Sequence, residues 1–164
     1  MITRESLKQV VMLTYLTDPM LDKLAQIIDF LKFDKDEIIF REKEPALRFY
    51  MLTAGHVLLE QRISEQLTAC IASIKPGFSF GWSAMMDNAT YTVDAVCEEP
   101  SEAFSFKSER FRTLIQQDPE LGLRIHQRLL IIIKKRLDVR TEQFRQAIMH
   151  HPDMQPLFSD CKIP

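Results

Sequence analysis

The stretch Phe49-Tyr50-Met51-Leu52-Thr53-Ala54-Gly55-His56-Val57-Leu58-Leu59-Glu60-Gln61-Arg62-Ile63 decides the fold class. Two apolar, strand-forming runs, residues 49–52 and 57–63, flank a short turn that contains Gly55, and this predicts a hairpin. Runs of the same kind lie on both sides of it. Ile38-Ile39-Phe40 comes before; residues 67–74, 91–96 and 103–106 come after, with Lys75-Pro76-Gly77 marking a turn. A short strand about every ten residues predicts an antiparallel sandwich or barrel, not a parallel α/β sheet.

Helix brackets this β region. Ser6 followed by Gln9 reads as a capping box, with Leu7, Val10, Val11 and Tyr15 at helical spacing, so a first helix is predicted over residues 7–16. Asp18-Pro19 restarts helix, Asp as cap and Pro in the first turn, with Leu21, Leu24, Ala25 and Ile28 as its buried stripe. Roughly the first 30 residues are therefore expected to be helical. Helix returns at Ser108, read as a cap, with Phe111, Leu114 and Ile115 facing inward. Asp118-Pro119 repeats the Asp-Pro start and opens a long helix to about Ile148. Pro152 and Pro156 end regular structure, leaving a tail over residues 149–164. The expected organisation is thus residues 1–107 as N-terminal helices plus barrel, residues 108–148 as C-terminal helices of the same domain, and a tail.

Composition narrows the function classes. The chain has 164 residues, 46% hydrophobic and 27% charged, which is ordinary for a globular domain and excludes disordered or fibrous chains. A net charge of −2 and a pI of about 6.1 disfavour a strongly basic nucleic-acid binder. Cys70, Cys97 and Cys161 are an odd, widely spaced set that reads as reduced thiols. Residues 1–16 carry Arg4, Glu5 and Lys8 and look nothing like a signal peptide. The longest apolar run, residues 129–133, is far short of a membrane span. A cytoplasmic protein is expected.

The long helix carries two apolar stripes. Leu123, Leu130, Ile133, Leu137 and Phe144 form one; Leu121, Ile125, Leu129, Ile132, Arg136 and Val139 follow a second. One stripe is enough to cover the helix's own domain. The other predicts a partner, a second copy of the chain in a homodimer; the competing arrangement is a helix buried centrally in one domain.

The order of helix, short-strand barrel and long terminal helix resembles the cyclic-nucleotide-binding domain family, in its catabolite-activator branch. Residues 38–42, Ile-Ile-Phe-Arg-Glu, resemble the family's strand into an Arg-Glu-Gly turn. Residues 49–57 resemble its Tyr-x-Ile-x-x-Gly-x-Val hairpin. Lys75-Pro76-Gly77 with Phe80-Gly81 resembles the lead into its phosphate-binding cassette. Residues 111–119 resemble its turn into the terminal helix. The resemblance spans roughly residues 10–145. It implies a mainly β fold with flanking helices, an antiparallel double-stranded β-helix (jelly-roll) barrel, and a sensor or regulatory role without catalysis. The ligand it implies is a cyclic nucleotide, cAMP or cGMP. By resemblance the pocket comprises Phe80, Gly81, Trp82, Ser83, Ala84, Ala89, Thr90, Tyr91 and Thr92, with Arg136, Arg140 and Thr141 of the terminal helix nearest the base.

The cassette departs from the family pattern. Trp82 stands where the family places a Glu that accepts from the ribose hydroxyl, and indole only donates. The phosphate-pairing Arg falls at Ala89 or Thr90, depending on the alignment. No Arg lies between Arg62 and Arg110. Neither Ala nor Thr copies the bidentate guanidinium contact to phosphate. What is left for an anion is Gly81 and the N–H groups of Ser83 and Ala84. Lys43 stands where the turn usually has Gly. Trp82 is open to two roles, a core plug or a stacking platform for a ligand.

The terminal helix could supply cations. Residues 121–147 hold seven basic side chains against Asp138 and Glu142, a balance of +5. They serve either as a solvated face or, through Arg136 or Arg140, as a replacement for the missing charge. The histidines 56, 126, 150 and 151 fit no zinc spacing, so no metal is expected. Nothing matches a cupin metal set or a Gly-x-Ser-x-Gly hydrolase. Residues 148–164, with three prolines and no helical pattern, are expected to hold no DNA-recognition helix. Two functions stand: a ligand-sensing regulatory domain with an altered cassette, or a dimeric interaction module whose pocket is closed by its own side chains.

Overall fold

The computed structural model describes residues 2–150, with helices α1 (Arg4–Lys8), α2 (Asp18–Ala25), α3 (Ser108–Gln117) and α4 (Pro119–His150). The strands are β1 (Ile28–Phe33), β2 (Ile38–Phe40), β3 (Arg48–Ala54), β4 (Val57–Arg62), β5 (Thr68–Ile74), β6 (Ser79–Phe80), β7 (Asp94–Cys97) and β8 (Ser101–Lys107). They form two four-stranded antiparallel sheets, ordered β1-β8-β3-β6 and β2-β7-β4-β5. The predicted antiparallel β-roll with flanking helices is therefore present.

Consecutive buried runs in β3 and β8, with alternating positions in β4 and β7, build its core. Phe49, Met51, Leu52, Val57, Ala95, Cys97, Ala103 and Phe106 are all buried. Phe106 stacks on Phe49 at 5.0 Å and on Phe111 of α3 at 4.9 Å, which seats α3 against the sheet. The β3–β4 turn needs glycine at Gly55 (φ 84°), where a Cβ would sit 2.5 Å from the Pro100 carbonyl oxygen. Burial pushes the Cys97 thiol up. Cys161 and the histidine at 151 lie outside the described residues.

Five local expectations need correcting. The first helix starts earlier and is shorter. Its capping box joins Thr3 to Ser6, not Ser6 to Gln9, and Val10 is already extended, the Val11 N–H turning to the Gly77 carbonyl at 2.9 Å. The cap of α2 is Thr17; Asp18 instead pairs with Lys8 at 2.7 Å. Ile28 lies in β1, not on a helix, because six residues in register with β8 gain a full ladder. Ser108 is the first residue of α3, not its cap, and its hydroxyl donates to the Leu47 carbonyl at 3.1 Å. Strand β7 begins at Asp94; Tyr91 lies in the preceding loop.

The chain divides into two units, residues 1–125 and 126–164. The first ends with the start of α4, where Leu121 and Ile125 are buried. The second, as far as it is described, is the rest of α4. That helix runs to His150, two residues beyond the expected end. Among the described residues no helix is long and apolar enough to cross a membrane.

Candidate functional site

Strand β6 is held to β3 by the pairs Tyr50↔Phe80 and Met51↔Ser79, and it delivers the chain to Gly81. Gly81 adopts a left-handed conformation (φ 75°, ψ 34°) and reverses the chain into a 3₁₀ turn over Trp82–Met85. A Cβ there would meet Tyr50 Cδ2 at 3.1 Å and the Arg48 carbonyl at 3.2 Å, so glycine is needed for both φ and space. Within the turn the Ala84 N–H donates to the Gly81 carbonyl at 3.1 Å, and the Met86 N–H to Ser83 at 3.0 Å. The Ala84 amide, one of two expected to face an anion, is thus already bonded.

The second half of the cassette is tied to the turn after β2. The Ala46 N–H donates to Ala89 at 2.9 Å, the Tyr91 N–H to Glu44 at 2.9 Å, and the Lys43 N–H to Tyr91 at 2.8 Å. Lys43 itself sits at φ 70°. Tyr91 is buried, stacks on Phe40 at 3.7 Å, and bonds the main chain of Arg48 through its hydroxyl. Phe40 also neighbours Tyr50 and Phe80, at 5.7 and 6.0 Å. These rings join the two halves of the cassette into one apolar cluster. Burial raises both phenols, Tyr50 the more strongly, so both stay neutral in the physiological range.

The predicted site residues therefore divide by environment. Phe80, Ala84 and Tyr91 are buried; Gly81, Trp82, Ser83 and Ala89 are half-buried; Thr90 and Thr92 are exposed. Arg136, Arg140 and Thr141 all lie on α4 in the second unit. Burial first, and then the charge of Arg140, lowers the Arg136 guanidinium to about 10, which leaves it cationic at neutral pH. Of the stripe expected at a dimer interface, Leu123, Leu130, Leu137 and Phe144 are exposed, as is Ile133 to a lesser degree.

Sequence reasoning missed three features. Arg112 of α3 reaches Asp87 of the cassette loop at 3.2 Å, a link between residues 25 positions apart with no local signal. Asp94 accepts the Glu42 N–H at 2.6 Å and fixes the other end of that turn. His56, weighed in the sequence only as a metal ligand, lies between Glu98 and Ser73. Only the hairpin register, which sets Ser73 opposite Leu58, could have signalled that meeting. Among the described residues no group of three His, Cys, Asp or Glu side chains could hold a metal ion.

Known proteins set this geometry in context. A protein of Geobacter metallireducens GS-15, described as cyclic nucleotide-binding, superposes with a TM-score of 0.73 at 27% identity, over 84% of this chain and 99% of that one. The sensor domain of the transcriptional regulator DNR of Pseudomonas aeruginosa gives 0.65 at 24% identity, over 82% and 91%. The catabolite activator protein of Thermus thermophilus gives 0.71 at 18%, over 83% of this chain and 62% of its own. No curated protein sequence matches the chain. The sequence profile of the family described as "Cyclic nucleotide-binding domain" matches residues 30–118, more than half of the chain and all of the cassette. On that match, joined to a roll whose β6 leads through a left-handed glycine into the cassette turn, the chain belongs to the cyclic nucleotide-binding domain family.

Proposed function

We propose that this chain is a non-catalytic, ligand-sensing regulatory domain that works as a homodimer through α4 and does not hold cyclic nucleotides tightly. One observation supports the reading: Gly81 is left-handed at the head of the cassette turn, and by the family resemblance the ligand-pairing side chains there are replaced. By the resemblance Trp82 falls at the ribose-binding position and Ala89 or Thr90, depending on the alignment, at the phosphate-pairing one, and no Arg lies between Arg62 and Arg110. A phosphate placed against these residues would lack its charged partner, and an unpaired buried charge is costly. The ligand is a small molecule chosen by Gly81, Trp82, Ser83, Ala89, Thr90 and Thr92, the cassette residues that keep some exposure.

A second reading has its own support. The packing of Phe40, Tyr50, Phe80 and Tyr91 into one cluster suits a module closed by its own side chains and used for dimerisation or docking. A thermal-shift screen with cyclic nucleotides, nucleosides and small carboxylates separates the two. A ligand at 100 times its dissociation constant adds about 2.7 kcal/mol. A shift with one ligand class, lost in Trp82→Ala, supports the sensor; a flat response across the screen supports the closed module.

A further inference from the structure

Away from the cassette, three side chains from separate elements make one hydrogen-bonded chain. His56 follows Gly55 in the β3–β4 turn. Its Nδ1 meets Glu98 Oε2, and its Nε2 meets Ser73 Oγ. Two hydrogen bonds set these segments against each other: the Glu98 N–H donates to the His56 carbonyl at 2.9 Å, and the His56 N–H donates to the Ser101 side-chain Oγ at 3.2 Å. The imidazole is about three-quarters covered, with 27% of its side chain exposed. Ser73 is an exposed residue on β5, the outer strand of its sheet.

The order of atoms matters. A carboxylate on Nδ1 holds the proton there, which turns the lone pair of Nε2 toward the Ser73 hydroxyl. In that tautomer an imidazole takes a serine proton while the oxygen attacks an acyl carbon. We propose that Ser73 is a nucleophilic serine that accepts an acyl group from small activated donors, aryl esters and acyl phosphates. His56 is its general base, and Glu98 is the positioning residue that fixes the imidazole. The bond from Ser73 Oγ to the carbonyl carbon forms, and the bond from that carbon to the leaving oxygen breaks. The Ser73 proton passes to His56 Nε2 and from there to the leaving group. The product is one ester per chain, a covalent mark on a regulatory domain rather than a turnover.

The test uses p-nitrophenyl acetate on the native chain. The expected result is a burst of p-nitrophenolate stoichiometric with protein, with the acetyl group mapped to Ser73 by peptide mass spectrometry. Ser73→Ala abolishes the burst, and Ser73→Cys moves the acetyl group to sulfur, which shows that the site and not only the fold survives. His56→Ala slows acylation on the order of a hundredfold. Glu98→Gln slows it by about tenfold or more, while Glu98→Asp retains most of the rate. The native rate rises with pH and then levels off; in His56→Ala it climbs without levelling. Acetylation confined to Cys70 or lysine side chains, or an equal Ser73 rate in the native and His56→Ala chains, overturns the proposal and leaves the three residues as a polar clasp between turns.

Discussion

The hydroxyl of Tyr91 donates to the carbonyl of Arg48 at 2.7 Å and accepts the N–H of the same residue at 3.1 Å. One side chain at the end of the cassette thus satisfies both main-chain groups of the first residue of β3. Its ring stacks on Phe40 at 3.7 Å, so the tie is apolar and polar at once. The cassette's second half, which has no strand of its own before Asp94, is positioned by this side chain and by the turn of residues 43–46.

Tyr91→Phe keeps the stack and removes both hydrogen bonds. Two part-buried main-chain groups then lose their partner, which costs about 1–3 kcal/mol. Urea unfolding with an unchanged slope and a lower midpoint is the expected result. A midpoint equal to that of the native chain would mean that water replaces the hydroxyl without loss, and the tie would then have no energetic role.

Asp118 starts α4. Its Oδ1 accepts the Leu121 N–H at 3.0 Å, and its Oδ2 pairs with Lys23 of α2 at 2.7 Å. Lys23 first, and the Leu121 N–H second, hold its carboxyl below the ordinary value of 3.8. The folded chain therefore prefers the ionised form. This contribution is complete above the ordinary Asp range and disappears as pH falls through the lowered folded-state value. Asp118→Asn should lower the thermal midpoint at pH 7 and narrow the gap from the native chain as pH approaches 3. A gap that is constant from pH 7 to pH 3 assigns the loss to something other than the carboxylate charge.

Lys43 occupies the left-handed region at φ 70°, which costs a side-chain-bearing residue about 1–2 kcal/mol relative to glycine. Part of that gain is offset by the greater freedom of glycine in the unfolded chain. Lys43→Gly should therefore stabilise the fold by about 0.5–1 kcal/mol. Destabilisation would place an interaction on the Lys43 ammonium that outweighs the backbone strain.

The stripe of Leu123, Leu130, Ile133, Leu137 and Phe144 is exposed, Leu130 and Leu137 by 66% and 63%. Side chains of this size in a line on one helix call for a covering partner, and a twofold copy supplies an identical stripe. Leu137→Glu should convert a dimer into a monomer or an insoluble chain. An unchanged elution volume together with unchanged circular dichroism would remove the dimer from the proposed function.

The architecture was readable because short apolar runs and turn chemistry agree: Gly55 between apolar runs, and Lys75-Pro76-Gly77 before Phe80, each mark a bend that the fold uses. Strand β1 was not readable, since Ile28 and Leu31 also continue the helical spacing of Leu21 and Leu24; only the ladder to β8 decides between the two periods. At the site, Gly81 was legible as a position of close backbone approach, whereas its left-handed turn was not. The ties of Tyr91 to Arg48, Arg112 to Asp87 and His56 to Ser73 were not, because each joins residues distant in sequence whose meeting depends on sheet register.

By the family resemblance the guanidinium–phosphate and carboxylate–ribose contacts fall at Thr90 or Ala89 and at Trp82, and on the proposed reading these side chains do not make them. Losing one charged contact from a shielded site costs about 1.5–3 kcal/mol, roughly tenfold to more than a hundredfold in affinity. Calorimetry on the native chain should therefore find no cyclic AMP or cyclic GMP binding tighter than about 1 μM. If the two side chains are the whole cause, Thr90→Arg combined with Trp82→Glu gains measurable cyclic AMP binding, because the left-handed Gly81 and the turn behind it are already in place. The single variants separate the contributions: Thr90→Arg supplies the charge, and Trp82→Glu supplies the ribose acceptor and removes the indole. A dissociation constant below about 1 μM for the native chain would defeat this account of the cassette. A double variant that folds and still binds nothing would place the block in the Phe40, Tyr50, Phe80 and Tyr91 cluster, the closed arrangement of the second reading.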